Sequence, residues 1–162
     1  LLNSLKNIKQ SVYYTDANYY AGFLALQAKD YNTALSCFEI ASENSDYKTV
    51  VPFYIAQLYY FTGEVSKAID YATKALQSQP QFYDFQLRQL LGHLWFDKNE
   101  YEKALPFLET YVAKQEKVQS QDLYQLSFCY FQTKQWEKAI AGFKQLNSGN
   151  DSLAQNLSLI HI

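Results

Sequence analysis

The sequence predicts an all-α protein, a solenoid of antiparallel helix pairs, and three observations support this fold class. First, one pattern of small residues recurs four times along the 162 residues. Second, the apolar residues between the recurring positions follow the three- and four-residue spacing of helices. Third, 48% hydrophobic and 19% charged residues are the composition of a folding chain rather than a disordered one. We therefore expect a stack of similar units, each stabilised by its neighbours.

Each copy of the pattern begins with a small residue and has an alanine twelve positions later. The small residues are Gly22, Ala56, Gly92 and Ser127, and the alanines are Ala34, Ala68, Ala104 and Ala139. Successive alanines are 34, 36 and 35 residues apart. Further positions recur four residues after each alanine, at Phe38, Ala72, Leu108 and Phe143, and seven after it, at Ala41, Ala75, Tyr111 and Leu146. Four copies at a nearly constant period predict a repeat protein.

Small residues at these positions have a packing explanation. Two antiparallel helices joined by a short turn bury their facing sides only where small residues let the backbones approach, and we expect Gly22 to meet Ala34 in this way. Larger residues such as Tyr59, Trp95 and Tyr130 then fill the space toward the next pair. The positions predicted to carry this packing are Gly22, Ala34, Phe38, Ala41, Ala56, Ala68, Ala75, Gly92, Ala104, Leu108, Ala139 and Phe143.

Taken in order, the chain divides into four complete units with partial units at its ends. Residues 1–14 hold the second helix of a truncated preceding repeat and a connector, and the four repeats cover 15–48, 49–84, 85–119 and 120–150. Residues 151–156 begin a fifth repeat. We interpret residues 157–162 as a non-native tail derived from a sequencing adapter and exclude them from functional reasoning. We thus expect a fragment of a longer array.

Polar residues near the expected helix starts predict the caps. Thr15 or Asp16 is expected to cap the first helix of repeat 1, and Asp30 is expected to cap the second. Asn99 and Glu102 have the spacing of a capping box, which would place the start of the second helix of repeat 3.

These residues resemble the tetratricopeptide repeat, whose pattern ends in Ala-x₃-Phe and a proline at a period of 34. Gly92 with Trp95 and the terminal Pro80 match that pattern, although no unit has the leading tryptophan and the third carries two extra residues. The resemblance covers residues 15 to about 147. It implies a right-handed superhelix whose first helices line a concave groove. Bacterial arrays of this kind occur in both cytoplasm and envelope, so the compartment stays open.

The groove implied by the resemblance would bind a protein or peptide partner. Counting helical turns from the packing residues places these side chains on it: Tyr19, Phe23, Leu26, Phe53, Gln57, Tyr60, Gln89, His93, Phe96, Tyr124, Phe128 and Phe131. Aromatic rings dominate and charges are scarce, which favours apolar or extended peptide segments over acidic tails. The alternative is that the rings pack between repeats, because aromatic residues at helical spacing are more often core.

The residues that enzymes and cofactor sites need are scarce in this sequence. It contains no phosphate-binding glycine loop and no Cys-x₂-Cys or His-Glu-x₂-His motif. The cysteines, Cys37 and Cys129, lie in apolar helical patterns and read as small buried hydrophobic residues. His93 has no partner at metal-ligand spacing and is interpreted as a polar groove or inter-helix residue. We therefore expect no catalytic residue, no metal and no cofactor.

The leading functional prediction is a non-catalytic scaffold for protein–protein interaction. A structural spacer that self-associates through exposed terminal helices is the alternative. RNA binding by helical-pair repeats is a third, but a net charge of −2 and a pI near 5.7 argue against any nucleic acid partner. The longest apolar run, residues 50–61, is too short for membrane insertion.

Overall fold

The computed structural model describes residues 4, 7–9 and 11–148, and its regular secondary structure is entirely helical. Over these residues the helices are α1 (Tyr14–Gln27), α2 (Tyr31–Ala41), α3 (Val51–Phe61), α4 (Val65–Ser78), α5 (Asp84–Asp97), α6 (Tyr101–Val112), α7 (Ser120–Gln132) and α8 (Trp136–Ser148). The predicted all-α class is confirmed, and the protein is a helical-repeat solenoid. The repeat boundaries themselves stay predictions.

The chain consists of two compact units, Leu1–Leu87 and Arg88–Ile162. In the first unit, α1 packs against α2, α2 against α3, and α3 against α4. In the second unit, α7 packs against both α6 and α8. Each unit is thus built from consecutive helices that neighbour one another in space, which is the expected arrangement for stacked hairpins.

The turn within each helix pair contains one residue with left-handed backbone. These residues are Lys29 (φ 59°), Gly63 (φ 81°), Asn99 (φ 59°) and Lys134 (φ 61°). At the first of these turns, the Lys29 N–H donates to the Leu26 carbonyl and the Asp30 N–H to the Ala25 carbonyl, and the other three turns repeat both bonds. This is the Schellman arrangement, which satisfies the last carbonyls of the first helix. Each left-handed residue lies five positions before a recurring alanine.

Two of the three predicted caps are wrong. Helix α1 begins after Tyr13, and Thr15 and Asp16 lie inside it. There they hold the loop that follows α2: the Asn44 side chain donates to Thr15 Oγ1, and the Tyr47 hydroxyl donates to Asp16 Oδ1 at 2.9 Å. Of the predicted caps, Asp30 is confirmed, since its Oδ1 accepts from the Thr33 N–H.

The capping box predicted at Asn99 and Glu102 is the second error. Asn99 ends the preceding helix in the left-handed conformation, and its N–H donates to the Phe96 carbonyl. Helix α6 begins one residue later than expected, after Glu100, with no side-chain cap. Asparagine is tolerated in both roles, and here its tolerance of positive φ decides the outcome.

The core of the first unit is a cluster of buried apolar side chains from α2 and α3. Its members are Ala34, Phe38, Ala41, Val51, Ile55 and Leu58. Gly22 lies against this cluster, where an added Cβ would come within 2.7 Å of a ring atom of Phe38. The close approach predicted for Gly22 thus exists, but the side chain that requires it is Phe38 rather than Ala34.

The second unit repeats this packing with different residues. A Cβ on Gly92 would lie 2.6 Å from Leu108, which stands at the position of Phe38 in the repeat. In the last helix pair the glycine is on the other helix, and a Cβ on Gly142 would meet the Ser127 hydroxyl. All twelve predicted packing residues are buried except Phe143, which is half-buried.

A lysine lies over an aromatic ring at the same place in three repeats. The Lys67 ammonium is 5.8 Å from the ring centre of Tyr59, Lys103 is 4.7 Å from that of Trp95, and Lys138 is 4.9 Å from that of Tyr130. In two of them the tyrosine hydroxyl also donates to a glutamate of the preceding helix, Glu39 for Tyr59 and Glu109 for Tyr130. The two tyrosine–glutamate bonds connect successive helix pairs, α2 with α3 and α6 with α7.

Several predictions lie outside the described residues. Most of the helix expected over residues 1–10 is among them, as are the fifth repeat at 151–156 and the tail at 157–162. Within the part that is described, no helix combines the length and the apolar character needed to cross a bilayer.

Candidate peptide-binding surface

In the first unit, the predicted groove residues join a network of aromatic rings. Tyr19 stacks on Tyr47, with ring centres 4.1 Å apart and planes 9° from parallel. Phe23 meets Phe38 at 5.0 Å and Tyr54 at 4.8 Å, both edge to face. Tyr19 and Phe23, like Leu26, therefore also pack against the buried cluster.

The first unit contains a second group of rings around the start of α3. Phe53 lies 5.2 Å from Tyr83, whose hydroxyl accepts from the Tyr54 hydroxyl at 3.0 Å. At the other end of α3, Tyr60 is exposed beside Phe61. Gln57 is half-buried between these two ends. Some of the predicted groove residues in the first unit are thus open to solvent, and others pack into the core.

The second unit carries a longer and more open series of rings, which we call the second-unit ladder and define as Phe96, Tyr124, Phe128 and Phe131. Phe128 is its centre, with ring centres 5.7 Å from Phe96, 5.9 Å from Tyr124 and 6.2 Å from Phe131. The outermost ring, Phe131, is 47% exposed. It meets Trp136 of α8 edge to face at 5.4 Å, and Trp136 is itself 51% exposed.

Gln89 and His93, the remaining predicted groove residues, are held by a buried carboxylate. Asp122 is 1% exposed, and its two oxygens each accept from Gln89 Nε2 at 3.0 Å. His93 Nε2 lies 2.7 Å from Asp122 Oδ1, and the His93 side chain is 25% exposed. Both residues therefore reach the surface only in part, and they join α5 to α7.

None of the twelve predicted groove residues is fully buried, and the most exposed are Tyr60 at 41% and Phe131 at 47%. Sequence reasoning missed their ring partners outside the first helices, namely Tyr47, Tyr83, Tyr101 and Trp136, and it missed Asp122. A signal for Asp122 was present. The equivalent positions in the other repeats are Ala17, Val51 and Leu87, all apolar and all buried.

The hydroxyls of this surface stay protonated well above neutral pH. Burial raises the pKa of Tyr19 and of Tyr124, and neighbouring tyrosines raise both further. Burial also raises the pKa of Tyr47 to about 12, with help from its hydrogen bond to Asp16. The rings therefore offer neutral hydroxyl groups, which suit an uncharged partner as well as a charged one.

The thiols carry no sign of reactivity. Cys37 and Cys129 are both free and buried, as predicted. Burial raises the pKa of Cys129 to about 12, so its thiol stays protonated at neutral pH and is a poor nucleophile. Among the residues that the structure describes, no group of three or more His, Cys, Asp or Glu side chains is arranged to hold a metal ion.

Comparison with protein families gives two matches, both described as tetratricopeptide repeat. They cover residues 55–82 in the first unit and residues 123–148 in the second. A comparison with curated protein sequences gives no significant match.

Solved structures with the same fold are numerous. MamA from Desulfovibrio magneticus RS-1 is 19% identical with a TM-score of 0.69, over 80% of this chain and 72% of that one. YrrB, described as a TPR protein with an unusual peptide-binding site, is 17% identical with a TM-score of 0.75, over 91% and 73%. PilF from Pseudomonas aeruginosa is 14% identical with a TM-score of 0.73, over 90% and 66%. At these identities the likeness establishes a shared fold.

Proposed function

Because the chain belongs to the tetratricopeptide-repeat family, generally a non-catalytic protein-interaction module, we propose that it is a scaffold binding an extended peptide segment on the second-unit ladder. The observation that supports this site is the exposure of Phe131 beside Trp136 at the open end of a continuous series of ring contacts. Exposed aromatic side chains in contact with one another are typical of interaction surfaces.

The chemistry of the ladder favours a segment with apolar side chains. Its four members are three phenylalanines and one tyrosine, so the rings offer apolar faces and one hydroxyl group. Edge-to-face contacts already hold Phe96 and Phe128 in place, which lowers the entropy lost when a partner binds. An extended peptide would insert alternate side chains between such rings.

The predicted groove residues of the first unit are the weaker candidate for the same role. Tyr19 and Phe23 make most of their ring contacts with Phe38, Tyr47 and Tyr54, so they are largely occupied by packing. Tyr60, with its neighbour Phe61, is the part that remains open. We propose that it adds contacts in the first unit but does not determine the choice of partner.

The test uses peptides selected from a random library on the full chain. Phe128→Ala combined with Phe131→Ala should weaken the selected peptide by at least tenfold, because deleting one buried aromatic anchor at an interface commonly costs about 2 kcal/mol or more. The dissociation constant is measured by fluorescence anisotropy, and far-UV circular dichroism checks that the variant is folded.

A control variant truncates exposed apolar side chains elsewhere. Leu24→Ala with Ile140→Ala deletes two residues that are exposed and outside the predicted groove positions. This control should bind the peptide as the unaltered protein does. If the control weakens binding and the ladder variant does not, the site is misassigned.

The spacer hypothesis predicts a different behaviour. An array that only self-associates would give no specific peptide and would form assemblies that grow with protein concentration. The absence of nucleic acid binding also stays a prediction, supported by the net charge of −2.

A further inference from the structure

The contact between α5 and α7 is polar where the corresponding contact in the first unit is aromatic. Gln89 and His93 occupy the repeat positions of Tyr19 and Phe23 on α1, while Asp122 and Gln125 occupy those of Val51 and Tyr54 on α3. We call Gln89, His93, Asp122 and Gln125 the polar cluster. A buried carboxylate replaces an apolar side chain only at a cost in desolvation, so this exchange calls for a specific reason.

The hydrogen bonds within the polar cluster leave some of its acceptor atoms unused. Asp122 uses both of its oxygens on Gln89 Nε2 and one of them on His93 Nε2. With its amide nitrogen engaged there, Gln89 has its carbonyl oxygen left to offer. A neutral His93 that donates from Nε2 likewise has an acceptor at Nδ1. Asp122 thus orients Gln89 so that its carbonyl oxygen is left to accept, and the neutral tautomer of His93 that donates to Asp122 offers a second acceptor at Nδ1.

A third acceptor points to the same chemistry. Gln125 lies one helical turn after Asp122 on α7 and is only 6% exposed, yet its Oε1 has no hydrogen-bond partner. A buried carbonyl oxygen without a donor is unfavourable by about 1–3 kcal/mol. The cluster therefore holds the carboxylate of Asp122 and an unused buried acceptor on Gln125.

The negative charge of Asp122 affects the residues around it. In the described part of the chain, His93 is the one basic side chain paired with it. The pKa of Tyr111 is raised by burial and further by the negative charge of Asp122. Asp122 lies in the first turn of α7, where the helix dipole stabilises its negative charge. The dipole does not add a side-chain hydrogen-bond donor.

The second-unit ladder begins one turn from the polar cluster. Phe96 follows His93 by three residues on α5, and its ring centre lies 6.4 Å from Tyr124 and 5.7 Å from Phe128. Such rings suit the methylene stem of a long side chain, and their faces attract a cation. Acceptors and a negative charge beside aromatic faces form a complementary site for a basic side chain.

We infer that the polar cluster is a subsite for a lysine or arginine side chain of the bound peptide. This inference rests on the proposed function, since it names the partner chemistry of the same surface. The stem would lie across Phe96 and Tyr124, and the charged group would donate to the acceptors of Gln89 and His93. Asp122 acts through these two residues, without direct contact. An acidic segment would be excluded by the same charge.

The test compares three synthetic peptides that differ at one position. The probes are acetyl-Leu-Phe-Xaa-Leu-Phe-amide with lysine, norleucine or glutamate as Xaa, so that lysine and norleucine share the stem and differ in the charge. The lysine peptide should bind about tenfold tighter than the norleucine peptide, as expected for one charge-assisted hydrogen bond. The glutamate peptide should bind more weakly than either.

Variants test whether the preference for lysine over norleucine depends on the polar cluster. Asp122→Asn keeps the shape and removes the charge, so the affinity for the lysine peptide should fall to that for norleucine. Gln125→Leu, a second variant that introduces no charge, should reduce the preference as well. Asp97→Asn is the matched control, because Asp97 is an exposed acid on α5 outside the cluster, and it should keep the full preference.

The outcomes separate this inference from the proposed function. Equal affinity for lysine and norleucine, failure of the lysine peptide to bind, or a preference that survives Asp122→Asn would each overturn the subsite. If Phe128→Ala weakens binding of both the lysine and the norleucine peptide, that result would still support the second-unit ladder as the binding surface. If neither the library peptide nor these probes depend on Phe128 and Phe131, the proposed function itself fails.

Discussion

The close contact of Gly22 with Phe38 predicts a measurable cost for adding one methyl group. An ideal Cβ on Gly22 would lie 2.7, 2.8 and 3.0 Å from three atoms of the Phe38 ring. Phe38 is fully buried, and its ring is fixed by Phe23 at 5.0 Å and Tyr54 at 5.5 Å. In Gly22→Ala the ring therefore cannot move away without disturbing two further rings.

The magnitude follows from two opposing contributions. Overpacking a filled core costs about 1–3 kcal/mol. Alanine is favoured over glycine within a helix by about 1 kcal/mol, which offsets part of that cost. Gly22→Ala should therefore lower the free energy of unfolding by up to about 2 kcal/mol. Urea unfolding followed by far-UV circular dichroism measures the change.

A double-mutant cycle isolates the contact. The second repeat has alanine at both equivalent positions, Ala56 and Ala72, so an alanine pair is compatible with the fold. In a Phe38→Ala background, Gly22→Ala should be neutral or stabilising, which gives a coupling energy of about 1 kcal/mol or more. The same effect of Gly22→Ala in both backgrounds, which means no coupling, would refute the packing argument.

Three further predictions concern the turns, the tyrosines and the oligomeric state. Lys134→Gly should raise the free energy of unfolding by up to about 1 kcal/mol and Gly63→Ala should lower it similarly, because both positions have left-handed backbone; urea titrations check the opposite signs. Burial raises the pKa of Tyr71 from 10.0 to about 12, so its hydroxyl loses its proton at a lower pH in the unfolded chain than in the folded one. The free energy of unfolding should therefore fall as the pH rises from 10 to 12. Tyr71→Phe should make that fall shallower in urea titrations at several pH values. Sedimentation velocity of the full chain should show a monomer across the micromolar range, whereas growth with concentration would favour the spacer hypothesis.

The fold was predictable because small residues are constrained at close helix contacts. The separations of 34, 36 and 35 residues reveal the unit without any knowledge of side-chain geometry. What the pattern could not supply was the partner of each small residue, since Gly22 meets Phe38 and Gly142 meets Ser127. Spacing fixes which positions face one another only to within one turn.

The left-handed turn positions escaped detection because three of them are not glycine. Lys29, Asn99 and Lys134 adopt positive φ only because the surrounding hydrogen bonds require it. Gly63 stands at the equivalent position in the second repeat and was the available signal. Asn99 was misread as a cap because asparagine favours both situations.

The exposure of the candidate surface could not be predicted from the sequence. Helical spacing predicts one face for the twelve side chains, which stays a prediction, whereas the share of each ring used in packing depends on neighbours outside the first helices, such as Tyr47 and Trp136. Asp122 was not singled out from the sequence. Comparison with the buried residues at the same repeat position would have identified it.

The location of a bound peptide tests the central claim most directly. The peptide selected from the library is titrated into the isotope-labelled full chain, and intermolecular nuclear Overhauser effects are measured. The second-unit ladder predicts contacts from the apolar side chains of the peptide to the ring protons of Phe128 and Phe131. Contacts confined to the residues around Lys103 and Lys138 would contradict it.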